Sequence, residues 1–127
     1  TSEARALLPA EVSRADAVFN VGRAAMLVNA LSTGRLELLR HATDDRLHQP
    51  ARNAVYPATS SIIEAALAGG AHGAFLSGAG PSVVALATGR EMTVAYEMAE
   101  AARLHGVSGR VVVTEPTQRG AYLVEAK

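Results

Sequence analysis

A chain of 127 residues with 49% hydrophobic residues and a formal net charge of +0 has room for one small domain with an apolar core. That balance excludes a disordered tail and a strongly basic nucleic-acid surface, so no nucleic-acid partner is expected. With no cysteine there is neither a disulfide framework nor a thiolate nucleophile, and no apolar run reaches the length of a membrane span.

A soluble, cytoplasmic protein is the default that follows, since no signal-peptide pattern opens the chain either. His41, His48, His72 and His105 are scattered too widely for the paired spacing zinc prefers, so no metal site is assigned. Aromatic residues make up only 4% and Trp is absent, which predicts a core of small residues and a modest stability margin.

In chain order, Glu3 to Leu8 reads as a short helical run closed by Pro9. The sequence begins mid-pattern without an initiator Met, as one part of a longer chain would. Ser13 with Asp16 is a capping box and opens a helix from about Arg14 to Ser32, ended by Gly34. Ala15, Val18, Phe19, Gly22, Ala25, Met26 and Asn29 recur at helical spacing as its inward face. Gly22 on that face predicts a close crossing with another element, because a mid-helix glycine otherwise costs about 1 kcal/mol. Asn20, on the margin of the face, is either hydrogen-bonded to a neighbouring loop or turned toward a ligand.

A second helix follows from Leu36 to about Leu47, with Leu36, Leu39, Ala42 and Leu47 inward and Pro50 closing it. Gln49 to Pro57 has no period and reads as an irregular loop. Arg46, His48 and Arg52 form a basic cluster there, with Asp44 and Asp45 near enough to pair with the arginines. Ser61 with Glu64 suggests a third helix, starting as early as Pro57, whose buried stripe is Ile62, Ile63, Ala66 and Leu67; Gly69 and Gly70 stop it.

Strands are predicted over Ala74–Ser77 and Ser82–Ala87, on either side of a glycine-rich turn. Thr88 and Glu91 cap a fourth helix with Val94, Ala95, Met98, Ala101 and Ala102 on one face, terminated by Gly106. Two further strands, Arg110–Thr114 and Ala121–Glu125, complete the reading. Helices, hairpin, helix and strands in this order predict an α+β domain, with helices on one face of a mostly antiparallel sheet.

The turn Gly78-Ala79-Gly80-Pro81-Ser82 supports two readings. It is a plain hairpin connection, or it turns backbone N–H groups toward the polar atoms of a ligand. It is not a Walker loop, since no Lys-Ser or Lys-Thr pair follows. Nor is it a dinucleotide fingerprint, because it runs into a strand and not a helix.

Leu76-Ser77-Gly78-Ala79-Gly80-Pro81-Ser82 resembles the third conserved motif of the superfamily of galactokinase, homoserine, mevalonate and phosphomevalonate kinases. Thr1-Ser2-Glu3-Ala4-Arg5-Ala6-Leu7-Leu8-Pro9 and Asp45-Arg46-Leu47-His48-Gln49-Pro50 with Arg52 narrow the resemblance to homoserine kinases. It runs in order from Thr1 to about Val124. It implies a ferredoxin-like carboxy-terminal domain with extra helices before the hairpin. Residues 1–127 would be the substrate-side domain, and an amino-terminal nucleotide-binding half would lie outside this sequence. A sheet edge left open in this way favours self-association as a homodimer.

The implied reaction is ATP-dependent phosphorylation of the L-homoserine hydroxyl in threonine biosynthesis, with ATP and Mg2+ held mainly by the other half. These residues alone are expected to be inactive, and no catalytic residue is assigned among them. By resemblance Thr1, Arg5, Asn20 and Arg52 bind the substrate, with Arg46 the alternative to Arg52 if the alignment slips across the loop. Gly78, Ala79, Gly80 and Ser82 border the phosphate site, Gly80 also facing substrate. A sister small-alcohol kinase and a non-enzymatic ferredoxin-like module that binds an amino acid are the rival readings.

Overall fold

In the computed structural model, which describes residues 5–123, Ser13 caps the first long helix as its sequence suggests. Ser13 Oγ accepts from Asp16 N at 3.0 Å, and Gly34 closes the far end in the left-handed region at φ 70°. The elements are α1 (Arg14–Thr33), a 3-10 turn (Leu36–Leu38), α2 (Leu39–Ala42), α3 (Gln49–Asn53), α4 (Ala58–Gly69), β1 (Gly73–Leu76), β2 (Val83–Leu86) and α5 (Glu91–Leu104). The fold is α+β. β1 and β2 form an antiparallel hairpin with Gly73 opposite Leu86 and Leu76 opposite Val83, and α4 packs on both strands and along α5.

The core lies between these last elements. Ala66 of α4, Ala71, Ala74 of β1 and Val94 of α5 are buried together, with Ile63, Leu67, Ala85, Ala87 and Met98 packed around them. Small residues let α4 and α5 approach closely. A Cβ on Gly69 would stand 3.2 Å from Val94 Cα, so this glycine marks the tight crossing. Leu39 and Leu76 are the largest fully buried side chains and tie α2 to β1.

Several expectations are corrected. The inward face of α1 is rotated by about one residue: Phe19, Asn20, Arg23, Met26 and Ala30 are covered, whereas Val18, Gly22, Ala25 and Asn29 are exposed. A Cβ on Gly22 would meet nothing within 4 Å, so the crossing expected there is found at Gly69. Val18, Val21, Val28 and Leu31 line the outer side of α1 while its covered side carries the polar Asn20 and Arg23, so apolar spacing points to the wrong face.

The second helix stops at Ala42, five residues short of the expected Leu47. Thr43 Oγ1 donates back to Leu39 O at 2.9 Å, and the Asp45 side chain takes the backbone donors that follow. Pro50 begins a helix instead of ending one, sitting in the first turn of α3, where a loop was expected. Thr88 does not cap α5: it is bonded to His72 Nε2 at 2.7 Å, while Glu91 accepts from Gly89 N.

Neither of the last two strands forms among the described residues. Residues 107–123 run without regular structure and are exposed, Val111, Val112 and Val113 included. β-Branched residues favour a strand only where a neighbouring edge is there to pair with, and among the described residues no strand pairs with this segment.

Candidate substrate site

The site is assembled around the loop between α2 and α3. Its centre is the Asp45 carboxylate, which gathers four donors. Leu47 N approaches at 3.2 Å, His48 N at 2.8 Å, Gln49 N at 2.5 Å and Asn20 Nδ2 at 2.5 Å. Burial alone pushes this carboxyl up. The hydrogen bonds from Gln49, Asn20, His48 and Leu47 outweigh it, and the group lies below its ordinary value. Asp45 therefore does not pair with an arginine, as its sequence position suggested.

Asn20 completes the clamp, because its Oδ1 accepts from Arg46 N at 2.9 Å. Both ends of the amide are engaged by the loop, which is what pins residues 45–49 to α1. Arg46 itself turns outward. It lies 3.8 Å from Asp16 and stacks on Phe19 at 3.9 Å, with Arg23 at 4.3 Å from the same ring. Asp44 faces Arg23 at 4.0 Å.

Arg52 sits one turn into α3 and has the opposite environment. It is 4% exposed, and neither Nε nor Nη1 has a hydrogen-bond partner. A buried guanidinium with unmatched donors is costly, and it is the arrangement an incoming carboxylate or phosphate would complete in bidentate fashion. Between the two arginines that the sequence left open, Arg46 is already matched on the surface and Arg52 is not.

The chain leaving α3 meets the glycine turn. Tyr56 N donates to Arg52 O at 2.9 Å, and the Tyr56 ring lies against Gly80, where a Cβ would come within 3.1 Å of Cδ2 and Cε2. Gly80 has φ 80°, Gly78 has φ 56°, and the Gly80–Pro81 peptide is cis. The turn is closed by Ser77 N to Ser82 O at 2.8 Å and by Gly80 N to Ser77 O at 3.1 Å. Gly80 N–H is thus spent inside the loop. Among the described residues the N–H groups of Gly78 and Ala79 meet no acceptor. Ser82 is exposed at the exit of the turn.

A further contact binds the two parts. Gln49 Oε1 accepts from Leu76 N at 2.9 Å, and its Nε2 donates to Thr43 O at 3.2 Å. The structure thus brings Asn20, Arg52 and the Gly78–Ser82 turn into one connected region. Arg5 lies at the start of the described residues, exposed, with its carbonyl accepting from Leu8 N at 3.1 Å. Thr1 lies outside the described residues. Sequence reasoning missed Asp45 as a hub, Gln49 as a bridge and Tyr56 as the ring under Gly80. An Asp shortly before a Gln49-Pro50 helix start is the signal that reveals the first of these.

No group of three or more His, Asp or Glu among the described residues is placed to hold a metal ion. No helix among them is long and apolar enough to cross a membrane.

The family model for the carboxy-terminal domain of the GHMP kinases matches residues 26–108, and the chain belongs to that family. Within it the similarity is to homoserine kinases. The homoserine kinase of Trichormus variabilis is 46% identical over 112 residues, covering 87% of this chain and 37% of that protein. That of Deinococcus radiodurans is 43% identical across 100% of this chain and 42% of its own length. The crystal structure of homoserine kinase from Cytophaga hutchinsonii superposes with a TM-score of 0.79 at 30% identity, over 85% of this chain and 35% of that one. The chain therefore spans about two fifths of the length of the curated relatives it matches.

Proposed function

We propose that the full-length protein transfers the γ-phosphoryl group of ATP to the hydroxyl of L-homoserine, and that residues 1–127 are its carboxy-terminal, substrate-side domain. The observation that carries this reading is Arg52, buried with Nε and Nη1 unmatched on α3, the helix whose exit brings the Tyr56 ring against Gly80 of the turn. Such a guanidinium fits the carboxylate of an amino-acid substrate. Arg5, exposed at the start of the described residues, joins it in holding the amino-acid end, and Thr1 does so by resemblance alone.

The substrate hydroxyl forms a new P–O bond, the bond from the γ-phosphorus to the ADP oxygen breaks, and the hydroxyl proton is released to solvent water. Phosphoryl transfer of this kind depends on positioning and charge stabilisation, and this domain supplies the positioning. Bound ATP and Mg2+ supply the phosphoryl group and charge neutralisation. We assign the Gly78–Ser82 turn to the border of the phosphates and magnesium to none of these residues.

The test is Arg52→Ala in the full-length protein. Loss of a charged hydrogen bond is worth about 1.5–3 kcal/mol, so the homoserine KM should rise about ten- to a hundredfold while the ATP KM stays close to wild type. The decarboxylated analogue of homoserine should bind both proteins alike. An unchanged homoserine KM overturns the assignment.

A further inference from the structure

Arg52 stands on a helix that has little reason to exist alone. α3 has five residues, far below the length at which an isolated helix holds in water, and no side chain of its own N-terminal residue caps it. What organises its first turn is Asp45, four residues before Gln49, through Leu47 N, His48 N and Gln49 N. Asn20 then fixes Asp45 to α1.

Gln49 carries the connection to the sheet. Ser77 N bonds across the hairpin to Ser82 O, so the alternation along β1 turns Leu76 N toward the opposite edge. Gln49 Oε1 takes that N–H, directly before the glycine turn begins. Asn20, Asp45, Gln49 and Leu76 thus form a polar relay from α1 to the strand that launches residues 78–82. Its two outputs are the direction of Arg52 and the position of the turn.

We infer that Asp45 and Gln49 are positioning residues for the anion-binding guanidinium of Arg52, holding it in register with the Gly78–Ser82 turn. This rests on the proposed role of Arg52. Neither residue is required to touch substrate. Each acts through backbone groups that no other side chain in the relay satisfies.

A double-mutant cycle in the full-length protein decides the matter, with homoserine KM and kcat measured separately. Asp45→Asn should raise the homoserine KM about tenfold in the parent, with kcat at saturating homoserine changed less than about threefold. In an Arg52→Ala background the same change should alter that KM less than about twofold, because the guanidinium it positions is gone. An equal factor in both backgrounds overturns the inference, since a general loss of structure is felt with or without Arg52. Should Asp45→Asn fail to fold, Gln49→Met is read through the same cycle by the same criterion. A parent in which Arg52→Ala leaves homoserine KM unchanged refutes the carboxylate assignment itself, an outcome distinct from an additive cycle.

Discussion

The part of the domain made of α4, the hairpin and α5 is held by apolar contact between small side chains, whereas the strip from α1 through α3 is held by hydrogen bonds. Ala66, Ala71, Ala74 and Val94 need no partner beyond one another. Residues 43–52 instead depend on single carboxylate and amide groups, each serving several backbone donors. The difference shows how rigidity is divided. Packing gives a stable platform at no cost in polar groups, and a polar clamp gives direction to one buried cation.

Breaking the platform should have the largest effect. Leu76 is 2% exposed, so Leu76→Ala removes buried volume where β1 meets the glycine turn and should destabilise the protein by about 2–5 kcal/mol. Urea unfolding of wild type and variant gives the value. A loss below about 1 kcal/mol would mean that packing does not hold this half.

Breaking the clamp should cost less and should depend on pH. Asp45→Asn leaves backbone donors poorly matched, for a loss of about 1–3 kcal/mol near neutrality. The folded carboxyl lies below its unfolded value, so its contribution is fully present above about pH 4 and is lost as pH falls through the folded value. The gap between wild type and Asp45→Asn should therefore narrow in acid. Unfolding curves taken between neutrality and strong acid that keep a constant gap would show that the charge of Asp45 is not what holds the loop.

The smallest effect has the opposite sign. Gly22 is exposed with open space around it, so Gly22→Ala should stabilise α1 by about 0.5–1 kcal/mol. A thermal melt settles it, and a lowered Tm would restore the close crossing that its spacing suggested.

These two halves also differ in how much of them was legible beforehand. Periodicity found α1, α4 and α5, and the glycine-rich turn located the hairpin, because buried apolar residues repeat with the element that carries them. It misjudged the face of α1, setting Val18 on the inward stripe although Val18 stands with Val21 and Val28 on the outer side. It also missed α3, whose start depends on one aspartate and not on a repeating pattern. The motif singled out Arg52 as a candidate, while its burial and unmatched nitrogens come from tertiary contacts that no local spacing encodes. The strand expected at Arg110–Thr114 does not form for a related reason, since strand preference is decided by what lies alongside, and of the strand expected at Ala121–Glu125 the last two residues lie outside the described ones.

The Asp45 carboxylate reaches Leu47, His48 and Gln49 at once, so the distance along the chain between Asp45 and Gln49 works as a ruler. One residue inserted there would swing Arg52 about 100° around the axis of α3. The same insertion in the exposed run after Gly106 would disturb no backbone ladder. Natural variation in length should accordingly accumulate in that run and be purged between Asp45 and Gln49, and a designer grafting this corner onto another scaffold must carry the ruler along with the arginine.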